Sequence, residues 1–334
     1  MDRLIPRWIF PLCALCVLGG DILARILPSP RAIRIDCRTV IESDYELVQV
    51  ASGAWSVRSV RDSETFHPVI GPVAEAEALY VQQLRIPDRV RAAGPDGFVV
   101  WDVGLGAAAN VLSVLRALSD VPGEVRVESF DHTAAPLRFA RRHDSALGYF
   151  HGFESAVDGL LEQRSVRFQH GACTVHWRFH EADFPTLLQR LPSDIPPPDA
   201  VLFDAFSPAR NPIMWTLPLF ESLHRRIPTG NAASLATYSR STLLRVTLLL
   251  AGFWVGAGEA TGEKEETTLA ATRPELIPRL LDAQWLGRAL RSTSAEPLRE
   301  PIYRQAPLEP ASREALLAHP QFASIPSIPR LTTA

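Results

Sequence analysis

Hydrophobic positions divide the chain into alternating strand-like and helix-like segments, and the clearest pair lies near residue 100. The run 98–103, FVVWDV, is apolar and of strand length, and a GLG turn follows it directly. Beyond the turn, hydrophobic residues recur at the spacing of one helix face: Ala108, Val111, Leu112, Leu115 and Leu118. This pattern predicts a strand, a glycine turn and a helix in succession.

Four more segments indicate further strands of the same sheet. They are VRVESF at 125–130, a segment that ends with FHEAD at 179–183, AVLFDAF at 200–206 and SLATYS at 234–239. The run at 200–206 is apolar enough to be buried on both faces, as in a parallel sheet. Helix-like segments separate these strands, and one of them is expected to be capped by Ser241 or Thr242. Strands that alternate with helices predict a doubly wound α/β sheet.

Two flanking patterns complete the secondary structure. FWVGAG and TTLAAT, separated by the polar stretch EATGEKEE, predict a closing hairpin within 253–272. Upstream, residues 40–60 alternate apolar and polar positions around a Ser52-Gly53 turn, which predicts two short strands. An amphipathic helix follows with one apolar face: Ala76, Leu79, Tyr80 and Leu84. We therefore expect a small β-then-α unit ahead of the main sheet.

These patterns divide the chain into four parts. We expect an apolar N-terminal extension at 1–35, a small β/α preface at 36–95, the main domain at 96–273 and a proline-rich C-terminal extension at 274–334. The extension at 1–35 has the outline of a signal peptide, and an extra helix or a misassigned start fits it as well. Its apolar run is too short to span a bilayer and is interrupted by Pro11, so we expect no stable membrane association.

Composition narrows the function classes. The 334 residues carry a formal net charge of −3, and 46% of them are hydrophobic. This excludes a disordered chain and a general polycation, so any nucleic acid must be bound by a local basic surface. Cys13 and Cys16 have CxxC spacing, but no second ligand pair follows, and we expect no metal site. The few scattered cysteines favour a reducing compartment, and we expect a cytoplasmic protein.

The candidate chemistry lies beyond the carboxyl ends of the strands, where open α/β sheets bind ligands. The segment from Asp102 through Gly104 and Gly106 to Ala109 allows a ligand to approach the backbone and the helix N-terminus. It also satisfies the G-x-G-x-x-A form of the dinucleotide fingerprint. A tight turn without a ligand has the same pattern, so the motif alone leaves the cofactor open.

Three acidic residues follow other strands. Asp131 can accept the hydroxyl groups of a ribose, or it is a solvated loop carboxylate. Asp183 can receive an adenine amino group, or it caps the next helix. Asp204 ends a buried apolar strand, where an acid is costly unless it is partnered or functional. The rigid proline-rich loop that follows it can form a pocket wall with Phe206, Arg210 and Asn211.

The assembled residues resemble a known family. The segment DAFSPARNPIMW, from Asp204 to Trp215, is similar to a loop of the bacterial enzymes that finish 5-methylaminomethyl-(2-thio)uridine at the tRNA wobble position. These are the MnmC methyltransferase domain and the stand-alone MnmD proteins. LATYSRSTLLR with GEKEETT is similar to the family's closing segment, and ETFHPVIGPVAEAEALYV is similar to its preface. The resemblance extends over about residues 45 to 273.

The resemblance implies a Rossmann-like class I S-adenosylmethionine (SAM) methyltransferase sheet with a reversed final strand. It implies that SAM is held by Asp102, Gly104, Gly106, Asp131 and Asp183, and that Asp204 is the catalytic acid that meets the substrate amine. It implies tRNA as the partner, with substrate contacts from Phe206, Arg210, Asn211, Tyr238 and Arg245. The chain is too short for the flavin (FAD) oxidase half of the two-function members, so only methylation of the 5-aminomethyl group of uridine 34 is expected.

One departure and three alternatives remain at this point. The family usually continues its glycine turn with Thr-Gly, whereas Ala107 and Ala108 stand here. The alternatives are a SAM methyltransferase of another amine, a nicotinamide-dependent oxidoreductase and a degenerate binding module. The oxidoreductase is disfavoured because the sequence contains no Tyr-x-x-x-Lys pair and because the Asp204 loop would be unexplained.

Overall fold

A computed structural model describes residues 42–93, 97–260 and 265–323. The expectations for the extension at 1–35 lie outside these residues. Within the described ranges, no helix is long and apolar enough to cross a bilayer.

The preface begins with a small antiparallel sheet. Its strands are β1 (Tyr45–Gln49), β2 (Trp55–Ser59) and β3 (Glu64–Thr65), in the order β1-β2-β3. The first two strands form the hairpin that the alternating pattern predicts. Helix α1 (Pro72–Ala76) follows, continues as a π-helical turn (Glu77–Gln82), and leads to α2 (Ile86–Ala93). The predicted apolar face is buried, although the sequence predicted an ordinary α-helix rather than a π-helical turn.

The main sheet has eight strands among the described residues, in the order β10-β11-β9-β8-β4-β5-β7-β6. Their bounds are β4 (Phe98–Val103), β5 (Gly123–Asp131), β6 (Ser165–His170), β7 (Cys173–Glu181), β8 (Ala200–Phe203), β9 (Ser234–Thr237), β10 (Trp254–Gly258) and β11 (Thr267–Ala271). The five central strands β7, β5, β4, β8 and β9 are parallel. The closing hairpin places β11 antiparallel to both β9 and β10, as expected of a reversed final strand.

Helices cover both faces of this sheet. They are α3 (Ala109–Arg116), α4 (Ala135–Arg142), α5 (Asp144–Leu147), α6 (Glu154–Gln163), α7 (Phe184–Gln189), α8 (Leu217–Arg226), α9 (Thr242–Leu250), α10 (Ala283–Ala289) and α11 (Pro310–Leu317). Helix α9 begins after Ser241, whose hydroxyl accepts a hydrogen bond from the Leu244 N–H, as one of the two expected caps should. The class I methyltransferase fold expected from the sequence is therefore present.

Strand β4 shows why the sheet is buried on both faces. Phe98 and Val100 pack into a cluster on one face, and Trp101 and Val103 pack into a second cluster on the other. Successive side chains of a strand point to opposite faces, so the apolar residues of β4 contribute to the hydrophobic clusters on both faces of the sheet. The second cluster also receives Trp285 and other side chains of the C-terminal segment. The carboxyl end of β4 therefore emerges between two rigid layers.

Candidate functional site

The glycine turn after β4 is fixed by hydrogen bonds from the neighbouring strand. The N–H groups of Gly104 and Leu105 both donate to the carbonyl oxygen of Phe130, at 2.9 and 3.2 Å. The Gly106 N–H donates to the carboxylate of Asp131, with N and Oδ2 2.9 Å apart. The Tyr149 hydroxyl donates to the Ala107 carbonyl oxygen at 3.1 Å. The turn is thus held in one conformation at the N-terminus of α3.

Gly104 permits a close approach of two loops. Its φ is +99°, and a Cβ atom added there would lie 2.6 Å from the carbonyl oxygen of Asp204. No side chain can occupy that space, so a glycine is required for both its conformation and its size. The contact brings the backbone of Asp204 against the turn. Two segments a hundred residues apart in sequence therefore form one site.

Asp131 lies where β5 ends and faces the glycine turn. Besides the Gly106 N–H, it pairs with His132, whose Nδ1 is 3.0 Å from Oδ1. The hydrogen bond to Asp131 raises the pKa of His132. An acid at this strand end, beside a helix N-terminus, is the arrangement that holds a ribose in nucleotide-binding sheets. The turn and Asp131 together fit the adenosine part of a cofactor.

Asp102 has a different environment from the other predicted cofactor residues. It is completely buried within β4, beside Ser129 of β5. Burial raises its pKa to about 8, Asp204 and Asp131 add to the rise, and Ser129 offsets part of it. The structure therefore places this carboxyl group beneath the turn rather than on the open side of the site.

Asp183 is exposed and caps a helix. Its Oδ2 accepts a hydrogen bond from the Thr186 N–H at 3.0 Å, at the start of α7. This was the helix-cap alternative stated from the sequence. The nearby Glu181, at the end of β7, accepts from the Ala134 N–H and pairs with Arg164. A contact between Asp183 and an adenine ring remains a prediction.

Asp204 is surrounded by groups from three parts of the chain. Asn110, in the first turn of α3, donates from Nδ2 to the Asp204 Oδ2 at 2.7 Å. His67, from the loop before α1, places Nε2 3.7 Å from the same oxygen. The Asp204 N–H donates to the Val103 carbonyl oxygen at 2.9 Å. The carboxylate is therefore oriented by Asn110 of α3, the helix that follows the glycine turn, and lies close to His67 of the preface.

The loop after Asp204 is anchored to the preface and to the core. The Ser207 hydroxyl hydrogen-bonds the carboxylate of Glu64 in β3. The Phe206 and Phe66 rings pack with their centroids 5.6 Å apart. Phe66 also lies against the turn, because a Cβ added at Gly106 would be 3.2 Å from its ring. The preface thus contacts both sides of the site, and the Phe206 carbonyl oxygen accepts a bond from the Trp215 indole.

The remaining predicted substrate residues separate into two groups. Tyr238 is at the site, where its hydroxyl donates to the Ala205 carbonyl oxygen at 3.1 Å, and Arg210 and Asn211 belong to the anchored loop. Arg245 is 3% exposed, and its guanidinium donates to Thr268 and to the Thr267 carbonyl oxygen. The structure therefore does not bring Arg245 to the open side of the site, and it attaches α9 to β11 instead.

Sequence reasoning missed two residues that contact this set. Asn110 was not singled out, although a polar residue on the first turn of a helix that follows a glycine turn is a detectable signal. Glu75 is 6% exposed, and its Oε2 lies 3.9 Å from the His67 Nδ1. An acid on an otherwise apolar helix face marks such a position.

Among the described residues, no cluster of His, Cys, Asp or Glu could hold a metal ion. The site itself consists of the glycine turn with Asp131 beside it, and of Asp204, whose backbone lies against the turn at Gly104. Such a pair can orient a cationic or hydrogen-bonding nucleophile beside a bound nucleotide-like cofactor.

Comparison with known proteins agrees with this arrangement. A family described as S-adenosyl-L-methionine-dependent methyltransferase matches residues 154–273. The chain is 29% identical over 233 residues to the tRNA 5-methylaminomethyl-2-thiouridine biosynthesis bifunctional protein MnmC of Aeromonas hydrophila, covering 65% of this chain and 34% of that protein. It is 29% identical over 226 residues to MnmC of Cupriavidus metallidurans, covering 65% of this chain and 32% of that protein.

The chain thus spans about a third of the length of these curated relatives. Among solved structures, MnmC2 from Aquifex aeolicus superposes with a TM-score of 0.59 at 23% identity, covering 82% of this chain and 84% of that one. At that identity the likeness supports the fold.

Proposed function

We propose, because this chain belongs to the family of MnmC methyltransferase domains, that it methylates the 5-aminomethyl group of the tRNA wobble uridine, at position 34, to 5-methylaminomethyl. The match to a SAM-dependent methyltransferase family and the similarity to two MnmC proteins support a SAM-dependent methyltransferase that acts in tRNA modification. The aminomethyl nitrogen as acceptor is our proposal. SAM-dependent transfer to another amine is the main alternative.

The position of Asp204 carries this proposal. Its backbone touches the cofactor turn at Gly104, and its carboxylate is held by Asn110 from the helix that the same turn begins. An acid in this position faces the reactive end of a nucleotide cofactor bound along the turn. A carboxylate is the group that best orients and stabilises an amine. A nitrogen nucleophile therefore fits this site better than an oxygen or carbon nucleophile.

The residues present fit SAM. Gly104 and Gly106 adopt positive φ angles of 99° and 50° in the turn that leads into the N-terminus of α3, and Asp131 at the end of β5 is placed for the ribose hydroxyl groups. When bound, SAM supplies a methyl group that is already activated on a sulfonium. The protein's contribution is then position and electrostatics. Asp204 accepts a hydrogen bond from the amine and so orients the lone pair of the amine nitrogen towards the cofactor. It also stabilises the positive charge that develops on that nitrogen.

Binding of tRNA would require a local basic surface, since the formal net charge of the chain is −3. Arg138 on α4 and Arg210 in the anchored loop are exposed, and Arg240 after β9 is exposed but pairs with Glu265 at 3.5 Å, so Arg138 and Arg210 are the better candidates. Arg141 is already engaged by Asp144 and Asp158, so we assign it no phosphate contact. Phe206 is a candidate platform for a flipped-out base. A tRNA substrate would also place the reaction in the cytoplasm.

Nucleoside mass spectrometry tests the proposal directly. Bulk tRNA from a strain that lacks this chain should accumulate the 5-aminomethyl nucleoside, and a plasmid that carries the wild-type sequence should restore the methylated form. An unchanged nucleoside profile in the deletion strain would contradict the tRNA assignment. Methylation of a small amine by the purified chain, without any change in tRNA, would favour the alternative substrate.

A further inference from the structure

His67 is buried in a loop, although loop histidines are usually exposed. Its side chain is 8% exposed and lies between two carboxylates, with Nε2 3.7 Å from Asp204 and Nδ1 3.9 Å from Glu75. These distances are a few tenths of an ångström longer than hydrogen bonds, and such contacts often tighten when a substrate binds. The three side chains form an acid–imidazole–acid array that runs inward from the site.

The array is costly to build. The Glu75 carboxylate and the His67 imidazole are each 8% exposed and the Asp204 carboxylate is 18% exposed, and burying such groups to this extent is unfavourable unless they serve one another or a reaction. The backbone of His67 also has a φ of +49°, in the left-handed region that non-glycine residues rarely adopt. Strained backbone and buried ionisable groups both concentrate at functional sites. The array therefore calls for a functional explanation.

The proposed reaction releases a proton, and Asp204 needs a second group to take that proton from it. An alkylamine is an ammonium ion at neutral pH and has no lone pair until one N–H proton leaves. That proton passes to Asp204, and the lone pair then forms the N–C bond as the S–C bond breaks, with the electron pair of that bond staying on sulfur. The product is again an ammonium ion, so one proton is released in each turnover and must leave Asp204 before the next.

We propose that His67 and Glu75 are a proton-accepting pair that acts through Asp204, with His67 receiving the proton of the substrate amine and Glu75 stabilising the resulting imidazolium. The inference rests on the proposed function. His67 touches neither substrate nor cofactor in this scheme, so it is a positioning residue that regenerates the carboxylate of Asp204.

The other groups around Asp204 are poor acceptors. Burial raises the pKa of Tyr80 and of Tyr238 well above the ordinary value, and nearby Asp204 adds to both shifts, so both phenols stay protonated. Asp102, with a pKa of about 8, already holds a proton at neutral pH. Asn110 does not titrate. Glu64, the remaining acid near this set, hydrogen-bonds Ser207. His67 is therefore the neighbour that can take a proton from Asp204.

The test compares pH profiles of methyl transfer to unmethylated tRNA, using the full-length chain and variants His67→Gln and Glu75→Gln. The matched control is His319→Gln, a histidine of similar burial in the C-terminal segment that packs against Trp254 and Phe322. At pH 7 we expect kcat to fall about 100-fold in His67→Gln, as for loss of a general base, and about 10-fold in Glu75→Gln. The KM for SAM and the KM for tRNA should stay within about threefold.

The distinguishing result is recovery at high pH. At pH 9.5 about a tenth of an ordinary alkylamine is already unprotonated, against less than about a thousandth at pH 7, so kcat of His67→Gln should return to within about tenfold of wild type. His319→Gln should follow wild type throughout. If kcat of His67→Gln is lower than that of wild type by the same factor at every pH, or is not lower at any pH, the proposed role of His67 and Glu75 is contradicted. If His67→Gln does not fold, the isosteric Glu75→Gln decides by the same criterion. A wild-type chain that never methylates this tRNA overturns the proposed function, and the pair with it.

Discussion

Asp102 gives a sharp prediction about stability because its carboxyl group is completely buried. Burial raises its pKa to about 8, whereas an aspartate in an unfolded chain ionises near pH 4. Between these values the folded chain keeps a proton that the unfolded chain has released. The contribution of Asp102 to stability is therefore fully present below about pH 4 and is lost as the pH rises towards 8.

The size of the loss follows from the shift. Each pH unit within this window costs about 1.4 kcal/mol, so between pH 5 and pH 8 the wild-type chain should lose about 4 kcal/mol through Asp102. The variant Asp102→Asn cannot ionise and should not show this part of the loss. Comparing the two pH values cancels the constant cost of placing an amide in the site.

Urea unfolding followed by tryptophan fluorescence suits this measurement, because Trp101, Trp177 and Trp215 are fully buried. We expect the free energy of unfolding of Asp102→Asn, measured relative to that of wild type, to rise by about 4 kcal/mol from pH 5 to pH 8. The control Asp120→Asn, at an exposed aspartate, should follow wild type. If Asp102→Asn also runs parallel to wild type, the carboxyl group is ionised in the folded chain and the burial argument is refuted.

Three further predictions concern the turn, α9 and the nucleic acid. Ala108 has a φ of +63°, whereas Ala117 has a φ of −69°. Ala108→Gly should therefore raise the free energy of unfolding by about 1 kcal/mol, and Ala117→Gly should lower it. If urea titration moves both variants in the same direction, backbone strain at Ala108 is contradicted. Because Arg245 makes buried hydrogen bonds, Arg245→Met should destabilise the chain by about 3 kcal/mol and leave tRNA affinity within about twofold of wild type. Unchanged stability with a large loss of tRNA affinity in filter binding would instead make Arg245 a tRNA contact. Affinity for tRNA should fall at least about tenfold between 50 and 200 mM salt, and a flat response would point to a small-molecule amine.

The sequence was sufficient where one segment determines its own structure. The apolar run of β4, the glycine turn and the closing hairpin each carry a local pattern, and the structure contains all three. The strand that ends with FHEAD, β7, was predicted, but its antiparallel partner β6 was missed. Strand β6 lies at the edge of the sheet and alternates exposed and partly exposed positions, so it lacks the continuous apolar run that marks β8.

The candidate site could be predicted only in part because its contacts join distant segments. Asp204 was found because an acid at the end of a buried strand is unusual by itself. Its contacts with Asn110 and His67 depend on how α3 and the preface pack, which no local pattern shows. Arg245 was predicted to contact the substrate, but it lies within the apolar segment TLLRVTLLL of α9. A helix that is apolar on every face buries its one arginine.

The claim on which the account depends is that the Asp204 carboxylate meets the nitrogen that receives the methyl group. Single-turnover methyl transfer to unmethylated tRNA by Asp204→Asn, with SAM binding measured by calorimetry on the same sample, tests it most directly. The account predicts a dissociation constant for SAM within about threefold of wild type and a transfer rate lower by at least about 100-fold. A near-normal transfer rate, or a loss of SAM binding that accounts for the whole defect, would contradict it.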